Sequence, residues 1–167
     1  DNDLATSKDV ILAAAQHKGA SVVEMLVNCV IFNDGVHLCV TDREIRAERT
    51  IILRHGEKMI FGKEQNKGLV LDGYKLKAVT IGEDGYTMDD VLVHDAHCKD
   101  NSMHFKLAMM GCTGEDDGLP VALGIIRCVD APTYDECVEA QVEEVKAQKK
   151  AHTLREFLLQ GETWEVK

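Results

Sequence analysis

Cys29 follows an apolar run, Ala20 to Val27, that has a helical pattern before it and the polar stretch Asn33-Asp34-Gly35 after it. Such a run reads as a strand buried in a parallel sheet, and parallel sheets carry their sites at strand carboxyl ends. The Cys29 thiol therefore stands where chemistry usually occurs or, on the plainer reading, is a buried thiol. His94-Asp95-Ala96-His97-Cys98, with His104 downstream, offers nitrogen and sulfur donors. His94 and His97 form an i, i+3 pair, yet zinc centres take four ligands at other spacings, so these read as structural or surface histidines. Two acidic glycine segments, Gly82 to Gly85 and Gly114 to Gly118, look superficially like magnesium and diphosphate loops. Such a loop needs its acid at the end of a buried strand and an asparagine at a set distance, so both read as solvated turns. Glu24 interrupts the apolar run, where a carboxylate must pair or stay protonated; a structural hydrogen bond and a tuned catalytic acid are both open.

The elements that must position these groups follow from the pattern. Ser7 before KDVILAAAQH reads as the cap of a short helix stopped near Gly19. Val36 to Arg49 mixes charges and reads as surface helix or loop. TIILRHGEKMIF has His55-Gly56 between two apolar runs, a hairpin signal expected to stand apart from the parallel sheet. Residues 68–80 form two strands split at Asp72-Gly73, and GEDGYTMDD is a loop before a short helix. A helix is expected near Met103 to Met110 inside a lid-like region, residues 95–117. VALGIIRC after Pro120 is a short buried strand. Asp130 to Thr133 start a helix with acids in its first turn and Lys146, Lys149 and Lys150 in its last, matching the macrodipole at both ends. Residues 152–159 form a last short helix, leaving Trp164 to dock on the surface or on a partner.

Length and composition suit one α/β domain, 1–167, with apolar residues at 45% sufficient for a core. The formal net charge of -10 argues against nucleic acid or an anionic membrane as partner. No apolar run approaches the ~20 residues of a membrane span, and DNDLATSKD lacks a signal-peptide layout, so a cytoplasmic location is expected. The six cysteines contain no C-x-x-C and read as reduced thiols rather than a disulfide framework. Cys128 closes a strand, and Cys137 is placed on the inner face of a helix.

His17-Lys18-Gly19 leading through the apolar run to Cys29-Val30-Ile31-Phe32-Asn33 resembles the thiamine-diphosphate-binding beta subunits of 2-oxoacid:ferredoxin oxidoreductases, which carry an H-K-G strand and a C-V-x-F-N motif. The likeness continues through VTDREIR, IFGK, LVHD, LPVALGIIRCVDAPTYDE and the GETWEV tail. The resemblance implies the carboxyl-terminal half of such a subunit: half of a thiamine-diphosphate-binding fold, a helix-flanked, mostly parallel sheet with a hairpin-containing extension. The family's amino-terminal half, with its Gly-Asp-Gly and Cys-x-x-Cys motifs, has no counterpart in these residues.

By the same resemblance, Cys29 is the distant fourth ligand of a 4Fe-4S cluster, although family members commonly have proline where Asn28 stands. The implied parent enzyme decarboxylates a 2-oxoacid, 2-oxoglutarate first, on thiamine diphosphate and magnesium. It passes electrons to ferredoxin and forms an acyl-coenzyme A. The implied partners are the alpha subunit, ferredoxin, coenzyme A and the 2-oxoacid. The chain alone is expected to bind none of these cofactors and to form oligomers, since a half-domain exposes apolar surface. The competing reading is a noncatalytic fragment or subunit-interaction module; a metal-binding domain built on the histidines is a third.

Overall fold

A computed structural model of the chain describes residues 3–111, 118–148, 151–162, 164 and 166. The fold is α/β and comprises two compact units, Asp1–His17 with Ser21–Asp130, and Lys18–Ala20 with Ala131–Lys167. In the first unit, helix α1 (Leu4–Gln16) begins three residues before Ser7. Its cap is Asp3, whose carboxylate accepts from the Thr6 amide at 3.1 Å and the Thr6 hydroxyl at 2.9 Å. Residues 36–49 supply two single turns, α2 (Leu38–Thr41) and α3 (Arg46–Arg49), the second running straight into β1 (Thr50–Leu53).

β1 departs from the expected hairpin. It pairs in parallel with β5 (Val121–Gly124), in the register Thr50 to Val121 and Leu53 to Gly124. β2 (Ile60–Phe61) instead joins an antiparallel sheet with β3 (Lys67–Asp72) and β4 (Lys75–Thr80), whose turn falls at Asp72-Gly73 as the glycine signal indicates. His55-Gly56 fails as a hairpin turn because residues 56–59 are bonded elsewhere: the Gly56 amide donates to His94 O and the Met59 amide to Leu92 O, both at 2.8 Å. A 3-10 turn, Met88–Asp90, precedes that returning segment. Helix α4 (Ser102–Met109) buries Leu107 against Ile51, Leu53, Met59, Phe61, Leu69 and Met110, the core of this unit.

The run Ala20 to Val27 is where expectation and structure part. It forms no strand, and its apolar side chains stand in solvent, Val22 at 96% exposure and, beyond the run, Phe32 at 89%. Composition favours a strand, but a strand exists only by exchanging backbone hydrogen bonds with a neighbour, and the described residues align none beside it.

The second unit consists of helix α5 (Tyr134–Gln148) and the short helix α6 (Leu154–Leu158) with their flanks. Glu136 anchors the start of α5, accepting from the Thr133 amide at 3.0 Å and from Lys18 Nζ at 2.9 Å. Cys137, expected on an inner face, is exposed, as is Trp164 at 84%. Lys149, Lys150, Cys112 and the acids of Gly114 to Gly118 lie outside the described residues.

The parallel pair tests most sharply at Gly124. Its φ is +90°, and an added Cβ would lie 2.5 Å from Leu53 O and 3.0 Å from Leu53 N. Gly124→Ala should therefore cost roughly 2 to 4 kcal/mol in urea unfolding. A loss below about 0.5 kcal/mol would show that β1 and β5 are not in this close register.

Candidate functional site

Cys29 sits at the start of a tight turn. The Asn33 amide donates to Cys29 O at 3.0 Å, closing it. Asn28 brackets the same turn: its amide donates to Asp34 at 2.9 Å while its side-chain oxygen accepts from the Gly35 amide at 2.9 Å. Gly35, with φ of +76°, lets the chain reverse there. The exposed Cys29 sulfur faces the backbone amides of Phe32, Ile31 and Asn33, and these lower its pKa below that of an ordinary thiol, the Phe32 amide most. Three amides converging on one sulfur stabilise a thiolate, the form that binds metals and attacks electrophiles.

A second constellation forms at the carboxyl ends of β1 and β5. Residues 57 and 94 hold each other, His94 N donating to Glu57 O at 2.9 Å, and this places the His94 ring inside the unit. His94 Nε2 bonds Ile125 O at 2.9 Å, while its fully buried Nδ1 has no partner among the described residues. Burial is the main cause that pushes the His94 pKa down, opposed in part by the bond to Ile125. His104 is fixed more completely. The Arg127 guanidinium can only donate, so His104 Nδ1 accepts from it at 2.9 Å and the ring proton lies on Nε2, which bonds Asp95 O at 2.8 Å. Arg127 also donates to Cys98 O at 2.9 Å, tying residues 98–104 to the strand end.

His97 and His55 lie outside this knot, ring against ring at 4.3 Å, with His55 Nδ1 3.4 Å from Asp95 Oδ1 and His97 Nδ1 on Cys128 O. The imidazoles that sequence brings together are thus drawn to separate backbone carbonyls. Among the described residues no group of three His, Cys, Asp or Glu side chains is placed to hold a metal ion. Gly82 to Gly85 is a turn closed by the Gly82 amide on Tyr86 O, and Glu24 is exposed.

No protein-family model and no solved structure matches the chain. Over 99% of its length it is 34% identical to the 2-oxoglutarate oxidoreductase subunit KorB of Mycobacterium tuberculosis, and the match takes in 43% of that protein. The chain is thus similar, from end to end, to part of a 2-oxoglutarate oxidoreductase subunit. It spans less than half the length of the curated relative it matches.

Sequence reasoning missed Arg127 and His55. The signal that singled out Cys29, a position just past a buried strand, applies to both: His55 follows β1 and Arg127 follows β5. No helix among the described residues is long and apolar enough to cross a membrane.

Two measurements check the site. The alkylation rate of Cys29 by iodoacetamide, followed by peptide mass spectrometry, should have its pH midpoint below the 9.0 of an ordinary thiol; a midpoint at or above that value would mean the amides do not face the sulfur. His94 takes up a proton more readily in the unfolded chain, at a pKa near 6.5, than in the folded one. Its contribution to stability is therefore complete above that pH and is lost as pH falls through the interval down to its folded pKa. His94→Gln should flatten this acid-side decline in urea midpoints, and an unchanged slope would exclude His94 as its source.

Proposed function

We propose that this chain forms part of an enzyme that oxidatively decarboxylates a 2-oxoacid, with 2-oxoglutarate the first candidate, to an acyl-coenzyme A, using ferredoxin as electron acceptor. Its own contribution is Cys29, one thiolate ligand of a 4Fe-4S cluster. The observation that carries this reading is the Cys29 turn, an exposed sulfur at the start of a turn closed by the Asn33 amide and braced by Asn28. The 34% identity to KorB supports it.

The fit is chemical. A cluster ligand must be ionised, reachable from outside and held at a fixed angle. The amides of Ile31, Phe32 and Asn33 favour the ionised sulfur, its exposure leaves it accessible, and Asn28 with Gly35 holds the turn rigid. Amide donors to a ligating sulfur also withdraw electron density from it and so favour the reduced state. When bound, a 4Fe-4S cluster stores and passes single electrons. One cysteine cannot hold it alone, so the other three thiolates belong to residues beyond this chain's described set. Asn28, standing where relatives commonly have proline, replaces that residue's conformational restraint by two side-chain hydrogen bonds.

Thiamine diphosphate with magnesium would be held mainly by residues that this chain does not contain. The alpha subunit, coenzyme A, the 2-oxoacid and ferredoxin are the partners of the complete assembly, and the turn presents its apolar residues, Val30, Ile31 and Phe32, outward toward such partners.

The test is made on the natural complex carrying Cys29→Ser. The low-temperature electron paramagnetic resonance signal of the reduced cluster should be lost or shifted. Ferredoxin reduction by 2-oxoglutarate should fall at least roughly tenfold, as expected when a cluster ligand is replaced. Unchanged iron content, signal and turnover would sink the assignment.

A further inference from the structure

Helix α5 carries Tyr134, Val138, Val142 and Val145 at i, i+4, i+8 and i+11, one stripe down one side of the helix. The stripe is uncovered: Tyr134 is 82% exposed, Val142 45% and Val145 62%. The charges beside it are ordered along the axis. By helical geometry Asp135 and Lys146 flank the same edge of the stripe at opposite ends of the helix, while Gln141 and Gln148 lie along the other edge. Of the remaining acids, Glu136 is bound to Lys18 and Thr133, Glu143 and Glu144 to Lys146 and Gln148 on the helix's own surface, and Glu139 stands exposed beside the edge that carries Asp135 and Lys146.

From this arrangement we infer that α5 is a self-recognition surface, which docks antiparallel on the α5 of a second copy of this chain. A twofold axis passing between Ala140 and Gln141 interleaves the valines of the two stripes and sets Asp135 of each copy opposite Lys146 of the other, twice over. A parallel pair would instead bring the acidic first turns together. The short exposed bond from Lys146 to Glu143, 2.7 Å with both side chains more than half exposed, is weak enough to share its lysine. One helix pair buries less than the surface of a standard stable interface, so the dimer is concentration-dependent and dissociates on dilution. Gln141 lies beside the axis and approaches its own equivalent.

Sedimentation equilibrium of the 167-residue chain should show a monomer–dimer equilibrium. Asp135→Lys alone and Lys146→Asp alone each place like charges opposite one another and should weaken association roughly tenfold. The double variant restores opposite charges and should recover most of the loss. Val142→Glu should abolish the dimer, and Gln141→Cys, in a chain whose exposed Cys29, Cys98 and Cys137 are replaced by Ser, should yield a disulfide-linked dimer under oxidation that leaves the same chain with Gln141 unlinked. All four positions are exposed, and circular dichroism confirms folding. A chain that stays monomeric at every concentration, a dimer indifferent to Val142→Glu, or a double variant no better than the singles would overturn the proposal.

Discussion

Four residues of β1 lie beside four residues of β5 across a gap of nearly seventy positions, and this parallel register organises the first unit. Parallel strands cannot be joined by a tight turn, so everything between them must form a crossover. The antiparallel sheet, the 3-10 turn and α4 all belong to that crossover. Gly124 makes the contact possible because its missing side chain leaves room for the Leu53 backbone. With β1 and β5 side by side, residues 54–56 and 125–128 emerge together, and the returning segment around His94 is bonded between them. The core, from Ile51 and Leu53 to Leu107, fills behind the same pair.

The histidine knot shows how such a framework settles chemistry that spacing leaves open. His94, His97 and His104 are close in sequence and could meet at one ion. Each is instead turned to a different carbonyl, Ile125, Cys128 or Asp95: the buried rings of His94 and His104 need partners inside the unit, and the exposed His97 takes one at the surface. Arg127 then fixes the proton on His104 by offering only donors. The result is a brace between strand ends. Its cost is the unpartnered Nδ1 of His94, which makes this ring resist protonation.

The Cys29 turn is organised locally by contrast. Asn28, Cys29, Asn33, Asp34 and Gly35 make its hydrogen bonds among themselves. A site assembled within eight residues can keep its shape while the segment before it remains exposed. The Cys29 to Asn33 motif is thus a structural unit whose apolar residues, Val30, Ile31 and Phe32, face outward.

Sequence by itself determined the features that depend on near neighbours. These are α5, with acids at its start, the β3–β4 turn at Asp72-Gly73, the approximate positions of α1, α4 and α6, and the likeness to an oxidoreductase subunit through motifs such as Cys29 to Asn33. The cap of α1 moved to Asp3 because two oxygens can accept where Ser7 offers one, a local contest that pattern alone did not decide. Tertiary structure decided what depends on pairing. The segment TIILRHGEKMIF has the composition of a hairpin, but β1 found β5 and β2 found β3, since the amides of Gly56 and Met59 between them bond the returning segment at His94 and Leu92. Residues 20–27 have the composition of a strand and remain without one, because β structure is a property of two segments and its hydrogen bonds cannot be read from either alone.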